Sequence, residues 1–531
     1  MEPSLLAVET LVLAVLIAAA SVLALALVAH SGIFKHPRAL GTRPRPDLWS
    51  SPVELPLLGC LVDSIRNIDR VVQRFIERQH SGETDKSITF TLPAMGRFIL
   101  LERPEHLEHI QRTRFDNYEK GEAQRSTLGT LFGSGIFVSD GAAWQTHRKI
   151  SAKLFTNSTY RGIISTSTHR STAQLLDVID RLSAHGEVPL SQLFFALTLD
   201  AFTFMAFSTD PGALLAAKDG KLSGFGVALD YVQVETQKRF QNPFWFITER
   251  LTGTTAKMRS SMRIVHDFAD AIIDARLAPF DQKGDEGQDG QDDLLALYMR
   301  SRGIDGEKLS KIQLRDAVIN LLLAGRDTTA SALSWAVFRI LSRLDLVHRI
   351  RAEAGLLSDP NELPFDQLKD MHWTRAIFEE TVRLHPAVPN NSWTALGDDL
   401  IPNGPRIEKG DHVGWCDFLQ ARDPSIWGDD AGEFKPERWL DDEGKFRMDS
   451  RLHAFNGGFR RCLGETLATF ESVAVLLALF STFDLAFAPD YLATTPMVQT
   501  PLCAEPTPRC RHALTMPMAQ VLTVVATRRE R

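Results

Sequence analysis

The sequence predicts a mainly α fold with small β-sheets, preceded by one N-terminal transmembrane helix. Three observations carry this prediction. Residues 10–29 form an uncharged run of leucine, alanine and valine, long enough to cross a bilayer. Apolar residues at helical spacing recur through the rest of the chain, and the longest such pattern covers 309–344. Strand-like alternation is short, as over 88–101, where Pro93 and Gly96 separate two runs into a hairpin.

The 531 residues are 44% apolar and 24% charged, the balance of a globular protein. A net charge of -7 argues against nucleic acid as a partner. Cys60, Cys416, Cys462, Cys503 and Cys510 are odd in number, scattered and without a CxxC pair. They fit a reducing compartment and offer no zinc site. The leader before the apolar run carries Glu2 and Glu9, unlike the basic leader of a signal peptide. Lys35, Arg38, Arg43 and Arg45 follow the run, so the positive-inside rule places the remainder in the cytosol. Pro37, Pro44, Pro46, Pro52 and Pro56 then make a stiff hinge. The expected organisation is a membrane anchor over 1–35, a Pro-rich hinge over 36–56 and one large domain over 57–531.

Within that domain Gly133 and Gly135 suggest a dinucleotide loop, but Val138 stands where the third glycine belongs. Trp144 and Arg148 lie one turn apart on a helical face, two donors suited to a carboxylate. Amphipathic helices are expected over 192–207 and 225–240, and an acidic surface loop over 281–293. The long 309–344 pattern contains Ala324-Gly325-Arg326-Asp327-Thr328-Thr329. A mid-helix glycine costs about 1 kcal/mol relative to alanine, and paired threonines add β-branched crowding. Such a centre implies a local reason, such as a ligand close to the backbone. The alternative is a kink in which Thr328 bonds a preceding carbonyl. Glu380 and Arg383 set opposite charges one turn apart.

The chain is organised around Phe455-Asn456-Gly457-Gly458-Phe459-Arg460-Arg461-Cys462-Leu463-Gly464, a glycine-rich loop. It runs into a helical pattern of Leu467, Phe470, Val473, Leu476, Leu477 and Phe480. Cys462 then sits near a helix N-terminus beside an arginine, where a lowered thiol pKa is expected. The bland alternative is a small buried hydrophobe.

Phe455, Gly458, Arg460, Cys462 and Gly464 match the haem-binding signature of the cytochrome P450 family, which the chain resembles over 115–483. The resemblance implies the cytochrome P450 fold and a non-covalent haem b. Cys462 would be the axial thiolate of the iron, with Phe455 beside the sulfur and Gly458 in the haem-binding loop. Arg460, Trp144 and Arg148 would meet the propionates. Thr328 would hold bound oxygen and its water, and Asp327 would gate proton delivery. Glu380, Arg383 and Arg438 of Pro436-Glu437-Arg438-Trp439 would form a structural triad. Ala324 stands where animal fatty-acid hydroxylases often carry the glutamate that esterifies haem. Trp393 stands where many relatives carry a basic propionate contact, although its indole N–H can donate one bond.

Residues 115–149 and 425–440 are similar to the plant and fungal fatty-acid and alkane terminal hydroxylases. The implied function is a membrane-anchored haem-thiolate monooxygenase that hydroxylates an aliphatic, fatty-acid-like substrate. Only about seventy residues follow Cys462, too few for a flavin domain. Electrons are therefore expected from an NADPH-cytochrome P450 reductase, with cytochrome b5 as a second donor. The implied location is the endoplasmic reticulum membrane, single-pass, with the catalytic domain cytosolic. One alternative is a tailoring hydroxylase acting on a specialised metabolite, such as a small acid or glycolipid precursor. A haem-thiolate isomerase or haem carrier is disfavoured, because neither needs the Asp327-Thr328 pair.

Overall fold

A computed structural model describes residues 37–67, 88–283, 293–499 and 502–530. The expected anchor and most of the acidic loop lie outside these residues. The helices that build the body are α1 (Gly121–Phe132), α2 (Gly141–Ala152), α3 (Ser165–Ser183), α4 (Leu190–Phe207) and α5 (Gly224–Arg239). They continue with α6 (Trp245–Leu251), α7 (Thr254–Lys283), α8 (Lys311–Ser342), α9 (His372–Leu384) and α10 (Glu465–Thr482). Helix α8 starts sharply because Ser310 and Gln313 form a reciprocal capping box. Helices α4 and α10 are long and apolar enough to cross a membrane, but both are mostly buried and form core.

Six strands make the larger sheet: β1 (Trp49–Ser50), β2 (Ile88–Leu92), β3 (Gly96–Leu100), β4 (Tyr118–Glu119), β5 (Asn390–Ala395) and β6 (His412–Cys416). Their order is β1-β2-β3-β6-β5-β4. The expected hairpin is β2 and β3, antiparallel with Phe90 opposite Phe98. A smaller sheet joins Phe483–Phe487, Thr523–Arg528 and Val188–Pro189. The stretch expected as a hinge packs onto the larger sheet in its described part. Trp49 pairs with Ile88, and buried Arg45 donates to Asp47 and to the Arg406 carbonyl.

The close packing of α4 on α8 explains the unusual centre of the long helix. A Cβ at Gly325 would lie 2.0 Å from the Phe202 ring. Thr198 Oγ1 also donates to the Arg326 carbonyl at 2.8 Å. Gly325 thus makes room for a neighbouring helix.

Candidate active site

The Cys loop is shaped from outside by Gln111. Asn456 and Gly458 both adopt positive φ, and a Cβ on Gly458 would meet the Gln111 carbonyl oxygen at 2.1 Å. Gln111 Nε2 donates to Asn456 Oδ1 at 2.8 Å, and Gln111 Oε1 lies 3.0 Å from His453 Nε2. His453 Nδ1 in turn meets Asp417 at 2.6 Å. Inside the loop, Cys462 N–H donates to the Phe455 carbonyl at 2.8 Å. The Phe455 side chain packs against Ala332, Phe378 and Val382.

Cys462 is accessible and lies just before α10, whose N-cap is Gly464. Its thiol departs from the expected direction. Crowding by protein atoms pushes the pKa up, and this outweighs the Gly464 N–H, Arg148 and Arg461, which pull it down. Helix end and arginines are present as predicted, but desolvation of the charged form dominates in the protein alone. A bound metal ion changes that balance, because a coordinating thiol is deprotonated.

Helix α8 is unburied at one place over its central part. Between residues 316 and 341 every residue is buried except Ala324, Gly325 and Thr328. Ala324, Thr328 and Ala332 follow at intervals of four and share one face. The opening is therefore one turn from the alanine that touches the Cys loop through Phe455. Thr328 Oγ1 donates to the Ala324 carbonyl at 2.7 Å, the local bond that the kink reading foresaw. Asp327 is buried behind it. Gln233 Nε2 donates to Asp327 at 2.5 Å and Arg326 Nη1 at 2.7 Å. Burial raises the Asp327 pKa against the opposing pull of Arg326.

Arg460 points into a cluster of rings. Its guanidinium lies 4.6 Å from the Trp144 ring centroid, 5.8 Å from Trp393 and 5.9 Å from Phe115. It donates to Asp140 Oδ1 at 2.7 Å and to the Ser139 carbonyl. Asp140 is the N-cap residue of α2, but its carboxylate turns away to accept from Lys120 N–H, Arg125 and Arg460. Lys120 donates to Asn391 Oδ1 at 2.8 Å, and burial, with Arg460 nearby, pulls its pKa down to about 7. Arg148 stacks 5.7 Å from Trp144 and has no carboxylate partner among the described residues. The structure thus brings Trp144, Arg148 and Arg460 together, and adds Lys120, Asp140 and Trp393.

These residues fit a dianionic flat group. The Trp393 indole N–H is buried without an acceptor, and Lys120, Arg148 and Arg460 outnumber the shared Asp140 carboxylate. A group bringing two carboxylates would satisfy them, and the accessible Cys462 thiol would complete the site.

Below the loop, Glu380 and Arg383 are fully buried and paired twice at 2.7 Å. Arg383 also donates to the carbonyls of Ala421, Ala431 and Glu433. Arg438 approaches Glu380 at 3.6 Å and bonds Asp430 at 2.9 Å. Trp439, which sequence reasoning did not single out, donates its indole N–H to Glu380 at 2.9 Å.

A sequence profile of the family described as "Cytochrome P450" matches residues 50–508. The chain belongs to the cytochrome P450 family. It is 37% identical over 89% of its length to "Cytochrome P450 monooxygenase cyp1" of Mycosarcoma maydis, covering 77% of that protein. It is 27% identical over 88% of its length to "Cytochrome P450 704B1" of Arabidopsis thaliana, covering 95% of it. A third relative is "Cytochrome P450 86B1" of Arabidopsis thaliana, 32% identical over 71% of this chain and 70% of that one. The protein is thus an oxidoreductase of the cytochrome P450 monooxygenase class, and its cofactor is thiolate-ligated haem b.

Proposed function

We propose that this cytochrome P450 is a membrane-anchored hydroxylase of an aliphatic, fatty-acid-like substrate. One observation carries the oxygenase reading: the only unburied stretch within 316–341 of α8 is Ala324, Gly325 and Thr328. The similarity of 115–149 and 425–440 to terminal hydroxylases supports the substrate class. The anchor is residues 1–35, in the endoplasmic reticulum membrane, and the catalytic domain, which includes β1 at Trp49–Ser50, faces the cytosol. Electrons come from an NADPH-cytochrome P450 reductase.

Haem, when bound, supplies dioxygen activation and electron transfer. Cys462 holds its iron, and Arg460, Arg148, Trp144 and Trp393 hold its propionates. Phe455 buttresses the loop against α8. Threonine in a helix divides its side chain between two rotamers, one of which bonds a preceding carbonyl. Leaving the Ala324 carbonyl, the Thr328 hydroxyl turns into the opening and orients a water there. Asp327, held by Gln233 and Arg326, passes the proton on.

Thr328→Ala is the test. The variant is expected to fold, bind haem and consume NADPH with its reductase, while most electrons leave as hydrogen peroxide instead of product. Product and peroxide are measured per NADPH, beside thermal stability. Wild-type coupling with altered stability would make Thr328 a structural residue.

A further inference from the structure

A cavity of about 610 Å³ opens between α6, α7 and the start of α8. Its wall on α8 is Arg315, which precedes Thr328 by thirteen residues, or roughly 20 Å along the helix axis. It is therefore separate from the opening at Thr328.

One side of the cavity is apolar, with Trp245, Phe246, Met258 and Met262. Two ion pairs set its walls. Arg239 grips Glu249 at 2.7 and 3.0 Å while lying 4.1 Å from the Trp245 ring centroid, and Arg315 meets Asp270 at 3.0 Å. Arg250, Arg259, Arg263, His266 and Asp267 also line it. The three arginines have no carboxylate within ion-pair distance among the described residues, and Asp267 follows Arg263 by one turn of α7. Arg259 and Arg263 are spaced i, i+4 on α7, where like charges repel. Five arginines and three carboxylates line the space, an excess of two positive charges. A volume of this size lies in the range of small-molecule sites.

We propose that this cavity is a second binding site, for an anionic amphiphile of the long-chain carboxylate class. The head group lies between Arg259 and Arg263, where one anion relieves the repulsion of two cations. The aliphatic chain runs along Met258, Met262 and Trp245, whose thioethers and ring adapt to an extended chain. The site stands whether or not the same acid is oxidised at the haem.

Trp245 makes the proposal directly testable. Purified holoenzyme is titrated with a bromine-labelled stearate, reading tryptophan quenching and the Soret shift in parallel. A saturable quenching component is expected that Trp245→Phe removes. Arg259→Gln/Arg263→Gln, both at exposed positions, is expected to weaken that component about tenfold and leave the Soret titration unchanged. A brominated alcohol of equal length is expected to bind about tenfold more weakly than the acid. Arg259→Glu/Arg263→Glu is expected to favour a brominated alkylammonium instead. Quenching that survives Trp245→Phe in full overturns the site, and so does quenching indifferent to both arginine variants. A Soret shift that weakens in step with the quenching also overturns it, because the acid then has one site only.

Discussion

The cluster around Glu380 and the cluster around Arg460 both bury guanidinium groups, yet they treat their donors in opposite ways. Both oxygens of Glu380 are filled, by Arg383, the Lys435 N–H and the Trp439 indole, and all three nitrogens of Arg383 are bonded. Around Arg460, the Trp393 N–H is left over and Arg148 has only a ring for company. The Glu380–Arg383 pair closes on itself in the protein alone, with only the Arg438 Nε beside it left without a hydrogen bond, 3.6 Å from Glu380. The second cluster is completed from outside. Buried polar groups that stay unpartnered are costly, so the contrast separates framework from binding surface without reference to any ligand.

The largest expected effect breaks the framework. Glu380→Ala leaves Arg383 charged, buried and unpaired, and breaking such a pair costs about 3–5 kcal/mol. The variant is expected to melt far below wild type and to lose the red-shifted Soret band of the ferrous carbon monoxide complex. A variant with wild-type melting and haem content would erase the contrast.

A smaller change sharpens the other side. Trp393→Phe keeps an aromatic ring in the cluster but removes the orphaned N–H together with the five-membered ring of a fully buried side chain. Haem retention is expected to fall by about 1 kcal/mol, read as faster haem transfer to an acceptor apoprotein. The haem-free chain is expected to lose stability only through the cavity, so the loss with haem bound should be the larger of the two. Equal losses with and without haem would place Trp393 in the framework.

A pH-dependent effect comes from the neighbour of Glu380. Glu379 is fully buried, Oε2 has no partner, and burial, with Glu465 nearby, raises its pKa from an ordinary 4.5 to about 8. Between those values the folded protein holds a proton that the unfolded chain releases. Stability attributable to this group is therefore full below about pH 4.5 and is lost as pH rises toward 8. Glu379→Gln is expected to flatten that part of the melting profile, and an unchanged slope would assign it elsewhere.

The hairpin, the long helix and the helix after the Cys loop were legible in the sequence because each rests on local spacing, whereas the Glu380–Arg383 pair was legible as a framework pair only through the family resemblance. Trp144, Arg148 and Arg460 were legible through motif order. What escaped depends on residues distant in the chain. Gly458 answers to Gln111, Gly325 to Phe202 and Glu380 to Trp439. Lys120 and Asp140 sat in stretches already quoted for resemblance, and an aspartate before a helical run was a visible cap signal. At Cys462 only the raised pKa of the thiol in the protein alone was not legible, because local charges are visible in a sequence and crowding is not.

The interlock of Phe202 with Gly325 has an evolutionary reading. The floor of the chamber at Ala324 and Thr328 is positioned by a ring pressing from behind, on a helix that contributes no residue to that floor. A smaller side chain at 202 frees position 325 to carry a methyl group, and a methyl there forces position 202 to shrink. Variation in chamber shape can therefore arise from paired exchanges outside it, leaving the chemical groups at the opening unaltered.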